Sequence, residues 1–146
     1  MSRQIKNIIA ITFFLICIGL INVAGQNIEI EIRGMNAFTF ILIIAVLLQV
    51  IFFIPSFLLK TEKYYDLVGS LTYITTISLA YFSVENKTMI DSIIYFYVMV
   101  WALRLGIYLF RRVRNDGKDV RFEKAKRHFF WFLQYWMGQA LWVSLT

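Results

Sequence analysis

The sequence predicts an all-α fold, a polytopic transmembrane bundle of about five helices, and three observations predict it. Of the 146 residues, 60% are hydrophobic and 16% charged, whereas soluble domains are about half apolar and a quarter charged. The mean hydropathy of +0.66 reflects more apolar side chain than a soluble domain of this size can enclose, because a small domain leaves much of its surface exposed. The charges are confined to gaps between apolar runs, and five of these runs approach the ~20 residues that a helix needs to cross a bilayer.

The first span runs from Asn7 to Ile28, between Lys6 and Glu29. Arg3 and Lys6 before it, and the small residues of Val23-Ala24-Gly25 near its end, also suit a secretory signal. Its apolar stretch is long for that role and four further spans follow, so a first transmembrane helix is favoured. The second span, Ala37 to Leu59, is uncharged, and its Pro55 falls where the helix is finishing and a lost backbone donor matters least. The third covers Leu67 to Val84, the fourth Ser92 to Phe110 with Arg104 as its one interior charge, and the fifth Phe129 to Thr146. With no repeat, low-complexity stretch or linker, residues 1–146 read as a single transmembrane domain. The lone Cys17 lies in an apolar run and has no partner for an intramolecular disulfide.

Cationic residues in short loops set orientation. Arg3 and Lys6, Lys60 and Lys63, and eight basic residues in the stretch 111–128 all fall on one side, against Arg33 and Lys87 on the other. The N-terminus and the basic loop 111–128 are therefore expected in the cytoplasm, at a bacterial inner membrane, or at the endoplasmic reticulum in a eukaryote. The net charge of +6 then serves the lipid bilayer and its anionic headgroups. A nucleic-acid partner is excluded, because that role needs a basic face on a soluble scaffold.

Charge inside a span is costly and marks a candidate site. In the fourth span Tyr97, Trp101, Arg104, Tyr108 and Arg111 follow at steps of four and three, which puts an aromatic and cationic stripe on one helical face. The bland reading is that Arg104 snorkels to the nearby basic end. Asp66 opens the third span, where Gly69, Tyr73, Thr76 and Ala80 continue a stripe of small or hydroxylated groups suited to close packing. Asp66 either pairs with Arg104 across neighbouring helices or sits as an interfacial carboxylate favoured by the helix dipole. The basic loop, with a turn at Asp116-Gly117, presents Arg111, Lys118 and Arg121 either to headgroups or to a phosphate-bearing ligand. Trp131, Tyr135, Trp136 and Trp142 make the fifth span aromatic, suited to an interfacial belt at its ends and to packing or an apolar cavity at its middle. No metal site is expected, since His128 is the single histidine. There is no glycine fingerprint for a dinucleotide and no P-loop.

Three runs carry a resemblance: Lys60-Thr61-Glu62-Lys63-Tyr64-Tyr65-Asp66-Leu67-Val68-Gly69-Ser70, Trp101-Ala102-Leu103-Arg104-Leu105-Gly106-Ile107-Tyr108-Leu109-Phe110-Arg111-Arg112, and Gly117-Lys118-Asp119-Val120-Arg121-Phe122. From about Leu48 to the end, with Gln139-Ala140-Leu141-Trp142-Val143 also fitting, the chain resembles the domain of unknown function 1295 family, related to the membrane steroid 5-alpha-reductases. The resemblance implies a membrane oxidoreductase that reduces an activated double bond of an apolar, lipid-like substrate with NADPH. By position it implies that Arg104, Arg111, Lys118, Asp119 and Arg121 form or support the cofactor region. Tyr65, Asp66, Tyr97, Trp101 and Tyr108 would belong to the substrate region or polar interior, with Tyr65, Tyr97 and Tyr108 the candidates for a hydrogen-bond donor to the substrate. Family members continue into a second half with a histidine- and asparagine-bearing motif, so the chain is expected to be the N-terminal part of a longer fold, working with a second-half polypeptide or as a homo-oligomer. The competing expectations are a non-catalytic scaffold that binds lipid or a partner, and a membrane methyltransferase using S-adenosylmethionine.

Overall fold

The computed structural model describes residues 2–116 and 119–146. Helix α1 (Arg3–Ala24) starts at Ser2, whose hydroxyl accepts the Ile5 N–H, and ends at Gly25. A short antiparallel hairpin follows, β1 (Glu31–Ile32) and β2 (Met35–Asn36). Its two turn residues, Arg33 and Gly34, both have positive φ (56° and 77°), the backbone that a two-residue type I′ turn requires. Asn36 then caps α2 (Ala37–Leu58) by accepting the Thr39 N–H at 3.1 Å. Pro55 lies in the last turn of that helix, as expected.

Helix α3 (Tyr65–Ser83) and helix α4 (Met89–Asp116) come next. Two 3-10 turns, Val120–Phe122 and Ala125–Arg127, lead into α5 (Phe129–Leu145). The five α-helices fall on the five expected spans. Three of them, α1, α2 and Met89–Asn115 of α4, are long and apolar enough to cross a membrane. Helices α3 and α5, with 19 and 17 residues, measure about 29 and 26 Å at 1.5 Å per residue, close to the ~30 Å of hydrocarbon.

Several boundaries differ from the sequence reading, and the first is that of α1, expected from Asn7 to Ile28, which runs from Arg3 to Ala24 and takes Arg3 and Lys6 into its first turns. The hairpin occupies what reads as a plain loop, because Arg33-Gly34 is not among the common turn pairs. Helix α4 runs past Phe110 and carries Arg111, Arg112 and Arg114 on its final turns instead of in a loop. Arginine is a good helix former, and nothing in the sequence interrupts the helix before Gly117. At 28 residues, or about 42 Å, α4 outruns the hydrocarbon, so its arginine-bearing turns reach the headgroup layer.

Helix α3 packs on α4, α1 packs on α5, and α2 lies against both α3 and α5, which leaves α1 and α4 on the outside. The small-residue stripe on α3 serves contact, as its composition suggests. Any Cβ at Gly69 would collide with the Gln139 amide, and one at Gly106 would strike Ser70, whose hydroxyl donates to the Ala102 carbonyl. Gln49 and Thr72, both buried, join α2 to α3 by a 2.9 Å hydrogen bond from the Gln49 Nε2. Alternating helix directions gather the start of α1, the end of α2, the start of α3, the end of α4 and the start of α5 at one end of the bundle, the basic end. Contacts there include Phe57 against Phe129, Tyr64 against Phe110, and Arg3 over Trp131.

Candidate functional site

Asp66 sits in the first turn of α3 with its side chain 10% exposed. Its Oδ2 lies 3.6 Å from an Nη2 of Arg112 and 3.6 Å from one of Arg121. The Asp119 carboxylate is 3.5 Å from Arg112 and receives hydrogen bonds from both Nε and Nη2 of Arg121. Two carboxylates and two guanidiniums therefore close a formally neutral cluster that ties α3, the end of α4 and the segment after α4 together. The Arg121 hydrogen bonds hold the Asp119 carboxyl below the usual carboxylate range, and the same contacts push the Arg121 pKa up.

A second clasp lies beside it. Glu62 is 4% exposed, its Oε2 is 2.6 Å from Lys126 Nζ, and its Oε1 accepts the Asp119 N–H at 3.2 Å. Between the clasps Phe122 is 1% exposed and packs on Tyr65, Tyr135 and Phe132 at centroid distances of 4.7, 4.9 and 5.9 Å. The Tyr65 hydroxyl donates to the Tyr135 carbonyl at 2.9 Å. The basic segment is thus folded down onto the bundle by an aromatic plug and two ionic clasps.

The structure brings Asp66, Asp119 and Arg121 together, with Tyr65 alongside. Asp66 is paired with Arg112 and Arg121 instead of Arg104. Arg104 lies eight residues before Arg112, about 12 Å lower on α4. Tyr97, Trp101, Arg104, Tyr108 and Arg111 do share one face of α4 and all five are exposed, Tyr97 and Trp101 on the wall of an apolar groove and the other three on the outside of the bundle. That placement matches the snorkelling geometry for Arg104. Arg104, Tyr108 and Arg111, with Arg112 and Asn115, line an open notch of about 580 Å³. Lys118 lies outside the described residues. Glu62, Arg112 and Phe122 are the residues the sequence reading passed over. Glu62 between two lysines reads as a solvated surface charge, and only its buried position distinguishes it.

In the other half of the bundle α2, α3, α4 and the end of α5 enclose an apolar groove of about 480 Å³, lined by Leu42, Ala45, Tyr73, Tyr97, Trp101 and Val143 among others. Tyr73 meets Trp101 edge-on at 4.9 Å, and its hydroxyl lies 3.1 Å from Thr146 Oγ1. Concave, mostly apolar walls with a few hydroxyls are the ordinary composition of a small-molecule pocket. About one helical turn from the groove toward the basic end, the side-chain oxygens of Gln49 and Gln139 are buried with no hydrogen-bond partner among the described residues.

A helical bundle with membrane-length apolar helices, a latched cationic end and an apolar groove is a membrane-embedded protein. The chain belongs to the DUF1295 family, whose model, described as a protein of unknown function, matches residues 52–146. That match covers α3, α4, α5 and both clasps and leaves out α1. No curated protein and no solved structure matches the chain.

Proposed function

We propose that this chain is a steroid 5-alpha-reductase-like membrane oxidoreductase, or a fragment of one, that reduces an activated double bond of a lipid-like substrate with NADPH. The observation that carries the reading is the apolar groove with the Tyr73 hydroxyl in its wall, set roughly 10–15 Å along α3 from the cationic end. The groove walls would bind the apolar body of the substrate and keep water from it. The Tyr73 hydroxyl, whose hydrogen goes to Thr146 Oγ1 while Thr146 donates to the Trp142 carbonyl, would turn from Thr146 to donate to the oxygen on which charge develops. NADPH, when bound, supplies the hydride. Arg104 and Arg111 suit its phosphates, since among the described residues neither is engaged by a carboxylate and both border the notch with the Asn115 amide. Arg121 and Asp119 would support that region through the clasp.

The reading is tested by titrating NADPH fluorescence against the protein in lipid nanodiscs. Saturable binding is expected, weakened about tenfold or more in the double variant Arg104→Gln/Arg111→Gln, as loss of charge-assisted hydrogen bonds predicts. Arg121→Ala is a poorer probe because it opens the clasp. Absence of binding at millimolar NADPH would favour the second reading, a non-catalytic scaffold that binds lipid. One observation favours that reading: Arg112, Arg121 and Lys126 are already satisfied by Asp66, Asp119 and Glu62.

The gathered cations also support a cytoplasmic basic end, with the N-terminus on the same side. A reporter enzyme fused after Arg121 should be active only inside the cell, and activity outside would reverse the orientation.

A further inference from the structure

On the side of the bundle away from α4, the first turns of α1 and the start of α5 border a cleft of about 570 Å³. Its polar lining is Arg3, Gln4 and Asn7 from α1 and Arg127 and His128 from the approach to α5. The Arg3 guanidinium carbon lies 4.7 Å from the centre of the Trp131 ring, and the His128 ring stacks beside Trp131 at 6.0 Å. Among the described residues no carboxylate lines the cleft. Arg112, Arg121 and Lys126 are paired with acids, but Arg3 and Arg127 form no ion pair among the described residues. Two unneutralised guanidiniums facing one concave space repel each other, and an anion between them would relieve that repulsion.

We propose that this cleft seats a phosphate-bearing group, the chemistry shared by anionic lipid headgroups and soluble phosphates. Planar guanidiniums offer paired donors that match phosphate oxygens. The Gln4 and Asn7 amides add neutral donors. The α5 start carries no side-chain cap, so its first N–H groups and helix dipole favour negative charge at the same place. Trp131 and Phe130 give the cleft an apolar shelf, and tryptophan at a helix end belongs at headgroup depth. Of the two sources, the lipid headgroup is the one whose acyl chains would continue along the exposed apolar flank of α1 beside Gln4, where Ile8 and Leu15 face outward. The site is independent of the cofactor reading, since Arg104 and Arg111 lie on α4 at the opposite side.

The test is the thermal stability of detergent-solubilised protein, titrated in turn with phosphatidylglycerol, phosphatidylcholine, oleate and inorganic phosphate. Phosphatidylglycerol should raise the melting temperature saturably, with the apparent affinity falling about tenfold or more in Arg3→Gln/Arg127→Gln. Both side chains are exposed, so the variant should keep its helicity. Lys6→Gln removes a charge from the same surface but not from the cleft, and should leave the affinity unchanged. An equal stabilisation by inorganic phosphate would assign the cleft to a soluble phosphate and overturn the lipid source. Equal stabilisation by oleate, equal loss in Lys6→Gln, or an unchanged affinity in Arg3→Gln/Arg127→Gln would reduce the effect to general surface charge and overturn the site.

Discussion

At the basic end Phe122 is shut in among Tyr65, Phe132 and Tyr135 with charged clasps on both sides, while in the far half Tyr97, 68% exposed, stands at the rim of an open groove. Both regions are aromatic, yet the aromatics do different things. At the basic end they fill a core and fix a segment rich in arginine, which on its own would repel itself. In the groove they line a space that protein atoms leave unfilled. The contrast indicates which region tolerates change for the sake of a ligand and which is needed for the fold to persist.

The widest separation between the two should come from truncating one aromatic in each. Phe122→Ala removes a fully buried ring and is expected to cost about 3–5 kcal/mol, with little chance for the site to collapse because Phe122 enters from a short, doubly tied segment. Tyr97→Ala removes an exposed ring and should cost less than about 1 kcal/mol. Thermal unfolding in detergent micelles reads both, and limited trypsin digestion at Lys124 and Lys126 should accelerate in the Phe122 variant alone. Equal losses in the two variants would mean that the groove rim is as structural as the plug.

That difference was only partly written in the sequence. The helices were legible, because runs near twenty apolar residues have few alternatives to a membrane span, and the gathering of Asp66 with the basic stretch at one end follows from five alternating crossings. The choice of partner for Asp66 was not legible. Arg104 and Arg112 are eight residues apart on one helix and chemically identical, so only the depth of α3 against α4 selects between them. That depth is set by close contacts such as Gly106 on Ser70. Phe122 was invisible for a related reason: one aromatic in a charged loop has no periodicity to mark it as buried. The groove follows from inter-helix spacing, which no single helix encodes, although Tyr73 and Trp101 each stood on a stripe that could be read.

A smaller effect distinguishes the two regions by pH. Asp119 has its pKa lowered in the folded chain, chiefly by the Arg121 hydrogen bonds. A depressed carboxyl stabilises the fold above its unfolded value of about 3.9, and that contribution is lost as pH falls through the lower folded value. Arg121 is shifted upward, so its contribution is present below its unfolded value and is lost only in strong alkali. The acid limb is therefore the one to measure. The Asp119 side chain is 10% exposed, but its partners Arg112 and Arg121 are 40% and 53% exposed, so solvent screening reaches the pairs and the loss should stay below about 1 kcal/mol. Hydrogen exchange of the amides from Asp119 to Arg127 should quicken as pH falls below about 4, after correction for intrinsic exchange. Asp119→Asn should flatten that dependence. Among the described residues no carboxylate side chain lies in the groove wall, so amides near Tyr73 and Val143 should show no such step. A step of equal size in both regions would mean that acid loosens the bundle as a whole and that the clasp is not a separate cooperative unit.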